Sequence, residues 1–332
     1  MSTAEGQDRV PGSPLPRRRT LLQGAPAVLL GGAGCAGGSR SGAPASPTPS
    51  ATGTPAELPK VPVWRPSPGD VQPEVKVRAV ELVRAIGAWP AGERDAAMAR
   101  VGALGLAPTL VDQAGALRPG GAQAVLEVVD AQYGGILADS ASVLVVCRQW
   151  VRRGDGAVVA GGTTVDVRLQ KARPRWRVTA LHPAEPGAPA AALSPEAQRL
   201  LDAGSSIRLP PAAVADIRSG QVHASVVRAL LDLSRTYRIE VSVVRSGHPL
   251  KVFGTDRPSD HPRGRAVDVW RIDGHAVVDP GTSRALVEEF MRAAAAAGSY
   301  NVGGPLQLSG GAADQFFSDD THRDHVHMGF RG

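Results

Sequence analysis

Apolar residues recur at helical spacing in two stretches near the front of the chain, PEVKVRAVELVRAIGAW from Pro73 and GERDAAMARVGAL from Gly92, which predict two helices. Beyond them the pattern changes to alternation. QAVLEVVDAQYGGI (123–136), SASVLVVCRQWVRR (140–153), GTTVDVRLQKAR (162–173) and RWRVTALHPA (175–184) read as strands separated by Gly-rich turns. Helical spacing returns after a Pro/Ala-rich stretch, where Ser194-Pro195-Glu196 has the form of a helix start. ASVVRALLDLSRTY (224–237) is amphipathic, RIEVSVVRSG (238–247) reads as a strand, and SRALVEEFMRAAAAAG is a helix stopped by Gly298. Mixed helices and strands without a regular βαβ beat place the chain in the α+β class. The expected organisation is a domain over 61–185, a hinge over 186–205 and a second domain over 206–332.

The order of the first domain, helices and then a long-stranded meander, resembles the nuclear transport factor 2-like fold, in which a curved sheet wraps helices into a cone. No acid and base are spaced to work together in the pocket that such a sheet encloses. An accessory role is therefore expected for 61–185.

Ahead of these domains the pattern is not that of a fold. Arg17, Arg18 and Arg19 precede a short, mildly apolar stretch ending in GAGC at Cys35, the layout of a secretory signal over 1–35. The arginines followed by TLL resemble a twin-arginine export signal. GAGC resembles the lipoprotein box, with Gly32 where that box prefers Leu. The resemblance implies a lipid on Cys35, a membrane anchor and an extracytoplasmic location; cleavage without lipidation leaves a secreted chain. Residues 36–60 are Pro, Ala, Ser, Thr and Gly with almost no bulky apolar residue, so they are read as a disordered tether. Cys147 then has no disulfide partner and, set in SVLVVCRQW, is expected to be buried and inert.

The net charge of +6 suits an anionic surface such as lipid headgroups or cell-wall polymer. Nucleic acid is disfavoured, because no basic run carries the interleaved aromatics of a nucleic-acid groove.

Histidines are few, and their placement carries the chemistry. In THRDHVHMGF, Val326 and Met328 alternate with His325 and His327, so a strand here sends its apolar face to the core and both imidazoles to the other side. A solvated strand would carry Thr, Lys or Glu at such positions. RAVDVWRI makes the same argument: Val267 and Val269 share one face, and Asp268 is presented on the other by a rigid strand. His261 lies on the loop before it, with Gly264 supplying the turn or close approach that brings it back over Asp268. A His, an Asp and a His from one loop and two strands form a nitrogen and oxygen set of the kind that catalytic Zn²⁺ uses, with a fourth position left for water. His325, Asp324 and His322 are three candidates for the general base. His182, His223 and His275 fall outside these motifs and read as surface residues, whereas His248 is either a group that orients a ligand or a plain loop histidine.

Ser259-x-His261-x-x-Gly264-x-Ala266-x-Asp268, followed by His322-x-x-His325-x-His327, resembles the zinc D-alanyl-D-alanine metallopeptidases, which share a fold with the hedgehog signalling domain. The likeness covers roughly 222–330. It implies zinc on His261, Asp268 and His327, His325 as base or transition-state stabiliser, His322 as an auxiliary histidine, Asp324 in the place of a catalytic Glu, and a peptidoglycan stem peptide as substrate. One departure stands out. Where many such enzymes carry Ser-Gly-Tyr-Arg, with the Arg holding the substrate carboxylate, this chain has Ser246-Gly247-His248-Pro249, and Arg245 or Lys251 is left to substitute. The departure favours endopeptidase cleavage over removal of a C-terminal residue, or a catalytically inactive binding or adaptor protein that keeps its zinc.

Overall fold

A computed structural model describes residues 57–332 of the chain. The leader arginines, Cys35 and the tether as far as residue 56 lie outside the described residues. Among the described residues no helix is long and apolar enough to cross a membrane.

The first half opens with helix α1 (Pro73–Gly87) and the short helix α2 (Ala97–Ala103). Strands β1 (Gln123–Ile136), β2 (Ser140–Arg152), β3 (Val158–Gly161), β4 (Thr164–Gln170) and β5 (Arg177–Pro183) follow. They form an antiparallel sheet in the order β1-β2-β4-β5, with β3 on the outer part of β2. Along α1 the stripe Val75, Ala79, Val83 and Ile86 is fully buried against Val143, Val145 and Val167 of the sheet. Each buried Val or Ile side chain contributes on the order of 1.5–3 kcal/mol. Cys147 is buried, and burial raises its thiol far above the ordinary range, so it is chemically quiet.

The second half comprises α3 (Pro195–Leu201), β6 (Ile207–Arg208), α4 (Pro211–Arg218), α5 (Ala224–Leu233), β7 (Ile239–Val243), β8 (Ala266–Ile272), β9 (His275–Ala276), α6 (Arg284–Ala296), β10 (Asn301–Gly303), β11 (Phe316–Phe317) and β12 (Val326–Gly329). Ser194 caps α3, its hydroxyl accepting from the Ala197 amide at 3.1 Å. The mixed sheet runs β11-β10-β12-β8-β7-β6, with β9 against β8. Val241, Val267, Val269, Val326 and Met328 face a core shared with Leu230 of α5 and Phe290 and Met291 of α6. The glycine-rich stretch 300–317 is more than a connection: its two ends enter the sheet as β10 and β11.

The architecture is α+β, as the mixed pattern indicates. Among the described residues both halves belong to one compact unit. Leu144 and Val146 of β2 share a small apolar cluster with Val243 of β7. Gly247, at φ +76°, lies against Thr164, where a larger side chain would meet both its backbone and its methyl group.

Candidate metal centre

Strands β8 and β12 pair antiparallel with His327 directly opposite Asp268. Because Val267 and Met328 commit one face of each strand to the core, the other face holds this polar pair side by side. His261 starts a single 3₁₀ turn that ends at Gly264, whose φ of +68° reverses the chain. A Cβ at Gly264 would collide with the Gln221 carbonyl, so the position needs glycine on both counts. The turn swings His261 back over β8, and its ring is fully buried.

The three side chains meet at a point. His261 Nε2 lies 3.1 Å from Asp268 Oδ1 and 3.2 Å from His327 Nδ1, and His327 Nδ1 lies 3.0 Å from Asp268 Oδ1. A tetrahedral ion with bonds of about 2.0–2.1 Å separates its ligands by about 3.3 Å, so this triangle has the dimensions of one face of such a site. His261 Nδ1 is 2.8 Å from the Val244 carbonyl, which can only accept, so Nδ1 carries a proton and Nε2 is the nitrogen turned toward Asp268. The 3.1 Å between Nε2 and Asp268 Oδ1 is a distance that either a proton or a metal ion can bridge. Burial pushes His327 down to about 4 despite the neighbouring carboxylate, which keeps that ring neutral near pH 7. Burial alone would raise Asp268, but His261 and His325 beside it hold it well below the ordinary carboxylate range. A metal ion here would take the place of any proton on His261 Nε2, since binding needs a free nitrogen lone pair on each imidazole and an ionised carboxylate.

His248 joins the cluster from the other side. Its ring stacks on His261 with centroids 4.0 Å apart and planes at 17°. His248, His261 and Asp268 each offer a donor atom within 4.8 Å of the others, a group that could hold a metal ion. Burial, with His261 next to it, pushes His248 well below the usual histidine range.

The three base candidates part company. His325 Nδ1 is 2.6 Å from Asp324 Oδ1, so Nδ1 bears the proton and Nε2 faces the centre, 3.7 Å from Asp268 Oδ1. Burial opposes a charge on His325, yet Asp268 and Asp324 outweigh it and raise the imidazole to about 9. Asp324 turns away from the centre: its Oδ2 accepts from the Tyr133 amide at 3.0 Å and pairs with Lys76 Nζ at 2.6 Å. His322 stands edge-on to Phe317 and is held by Asp319 at 2.6 Å.

A cleft of about 590 Å³ opens over these groups, lined among others by His261, His322, His325 and His327 and on the opposite wall by Tyr133 to Leu137 at the end of β1. Arg245 and Lys251 do not line it. The Arg245 guanidinium is taken up by the Pro186 carbonyl and Asp216, and Lys251 pairs with Asp256. The exposed Arg257 and Arg263 do line it, and among the described residues neither makes an ion pair.

Two features of the site escaped sequence reasoning. One is that Asp268, expected on a presented face, is fully buried, because Gln132 of β1 covers it and donates from Nε2 to its Oδ2 at 2.7 Å. The other is Lys76, which falls on the buried stripe of α1 with Ala79, Val80 and Val83; a cation on an apolar stripe was a signal available in the sequence. Compared with protein-family models, curated proteins and solved structures, the chain finds no match in any of the three.

Proposed function

We propose that the chain is an exported, lipid-anchored zinc peptidase that hydrolyses peptide bonds in the stem peptides of peptidoglycan. The single observation that carries this reading is the convergence of His261 Nε2, Asp268 Oδ1 and His327 Nδ1 within 3.2 Å, beside a cleft that His261 and His327 line. The two spaced motifs that resemble zinc D-alanyl-D-alanine metallopeptidases support it. Zn²⁺ in that position would activate water and polarise a carbonyl. We assign the ligands as His261, Asp268 and His327, since the His327 donor atom is the nearer partner of both others.

The chain's own residues then do the following. His325 has one nitrogen locked to Asp324, so only Nε2 can exchange a proton with a group in the cleft; as imidazolium it donates to developing negative charge, and once deprotonated it accepts. Asp324 positions His325 and is not itself the base. His322, on the cleft wall and oriented by Asp319, is a second donor toward an oxyanion. Arg257 and Arg263 give the rim the positive charge that a carboxylate-bearing peptide needs, in place of Arg245, which is engaged elsewhere.

Incubating the full chain with muropeptides and zinc and reading product masses tests the proposal. Loss of a terminal residue or opening of a cross-link is expected, and unchanged substrate at full zinc occupancy overturns hydrolysis. A second reading, a wall-binding protein that keeps its ion for structure, draws on His248-Pro249, which occupies the place of the Tyr-Arg pair and stacks on a ligand. Unfolding on chelation with no turnover at any zinc level selects it.

A further inference from the structure

The first half of the chain reaches the metal centre through buried polar contacts, and these contacts do more than pack. Gln132 is fully buried in β1, 136 positions from its partner Asp268. Its amide is oriented by chemistry: a carboxylate only accepts, so Nε2 faces Asp268 Oδ2 at 2.7 Å, and the remaining Oε1 takes the hydroxyl proton of Ser242 on β7. Ser242 Oγ also lies 3.2 Å from the Asp268 carbonyl, but with its one proton committed to Oε1 it fixes the amide from β7, the strand paired with β8. The two carboxylate oxygens thereby have separate duties. Oδ1 faces His261 and His327, while Oδ2 is capped.

We propose that Gln132 is a positioning residue of the metal centre, capping Asp268 Oδ2 so that the carboxylate meets a cation through Oδ1 alone, and hence that the first half of the chain completes the site that the second half carries. This rests on the metal-site reading above. A parallel contact supports it: Lys76 of α1 and the Tyr133 amide of β1 together hold Asp324, which in turn holds His325. Every group that orients Asp268 Oδ2 or Asp324 from outside the second half therefore comes from two elements, α1 and β1. Groups that orient metal ligands by hydrogen bonding change affinity by about 10–100-fold when removed.

The test uses the full chain carrying Gln132→Ala, Gln132→Met or Ser242→Ala, with Gln149→Met as control. Gln149 is likewise buried in the first half and hydrogen-bonded, but to the Gly87 and Leu117 carbonyls, away from the centre. Zinc affinity is read by competition with a chromogenic chelator, and the coordination number by the visible absorption of the cobalt(II) protein. We expect the Gln132 variants to lose about 10–100-fold in zinc affinity and to show weaker, shifted cobalt bands as the freed Oδ2 joins the ion. Ser242→Ala, which leaves the amide in place but untethered, should lie between them and wild type, and Gln149→Met should match wild type even where its melting temperature falls. Folded Gln132 variants with wild-type affinity and spectrum overturn the inference. So does an equal loss in Gln149→Met, which would make the effect one of general stability. A wild type that binds neither ion overturns the metal reading itself, whereas normal metal behaviour without peptide cleavage overturns only the proposed reaction.

Discussion

His325 is held more tightly than a surface histidine could be, with one nitrogen on Asp324 and the other facing Asp268 across 3.7 Å. Replacing it with Ala removes the proton-handling group and leaves His261, Asp268 and His327 in place. We expect turnover of muropeptides to drop by about 10²–10⁴-fold with zinc content unchanged, read by mass-resolved kinetics beside metal analysis. A fall in zinc equal to the fall in rate would make His325 a ligand instead. The alternation of Val326 and Met328 with the two histidines is legible in the sequence, as is the matching alternation around Asp268. The tilt that separates the roles of His325 and Asp324 is not, because it depends on Lys76, 248 positions away, drawing the carboxylate to the far side.

At the level of elements, the turn 261–264 decides whether a loop histidine can reach a strand aspartate. Gly264→Ala demands a left-handed backbone from a residue with a Cβ and pushes that Cβ into the Gln221 carbonyl. We expect it to lower thermal stability by about 1–3 kcal/mol and to weaken zinc binding, whereas Gly274→Ala, also at positive φ but with open space around it, should cost stability and leave zinc alone. Equal zinc affinity in both variants would show that the turn does not place His261. Elements whose burial is one-sided, such as α1, α5, α6 and the first half of β1, follow from periodicity, and β2, buried on both faces over Ala141–Cys147, follows from its continuous apolar run. The strands β3, β6, β10 and β11 do not, being two to four residues long and defined by their neighbours more than by any pattern of their own.

For the whole molecule, the point that sequence reasoning could not reach is the joining of its two halves. Asp130 and Gln132 interrupt the alternation of β1, which marks something unusual on that strand, but the partner of Gln132, Asp268, stands in a part of the chain that no local pattern connects to it. Lys76 sits between Asp70 and Asp324 and pairs with both, with the carboxylate of Asp130 also within its field. At Asp70 burial wins and its pKa is raised; at Asp324 burial is outweighed by Lys76 and His325, and its pKa is lowered. At Lys76 burial is outweighed by Asp324 and Asp70, and its pKa is raised above 10.5. A lowered acid stabilises above its unfolded value and loses that stabilisation as pH falls through the folded one; a raised base stabilises below its unfolded value and loses it as pH rises through the folded one. Both partners of the Lys76–Asp324 pair therefore stay charged between about pH 4 and 10.5 and their contribution fades on either side, while Asp130, pushed up to about 7 chiefly by burial, and His325, at about 9, titrate inside that window and modulate it. Lys76→Met strands a buried carboxylate, so we expect about 3–5 kcal/mol of destabilisation near neutral pH, shrinking below about pH 4, by denaturant unfolding. A penalty that grows on acidification would contradict the assignment. Because the same network spans both halves, residues 57–332 should unfold in one cooperative transition that chelation shifts as a whole, and two separate transitions by calorimetry would contradict a single unit. The central claim is the shared coordination point of His261, Asp268 and His327. Its most direct test is the metal content of wild type, His327→Ala and His248→Ala after equilibration with zinc. The account predicts one zinc per chain in wild type and in His248→Ala and none retained by His327→Ala; equal zinc in wild type and His327→Ala would contradict it.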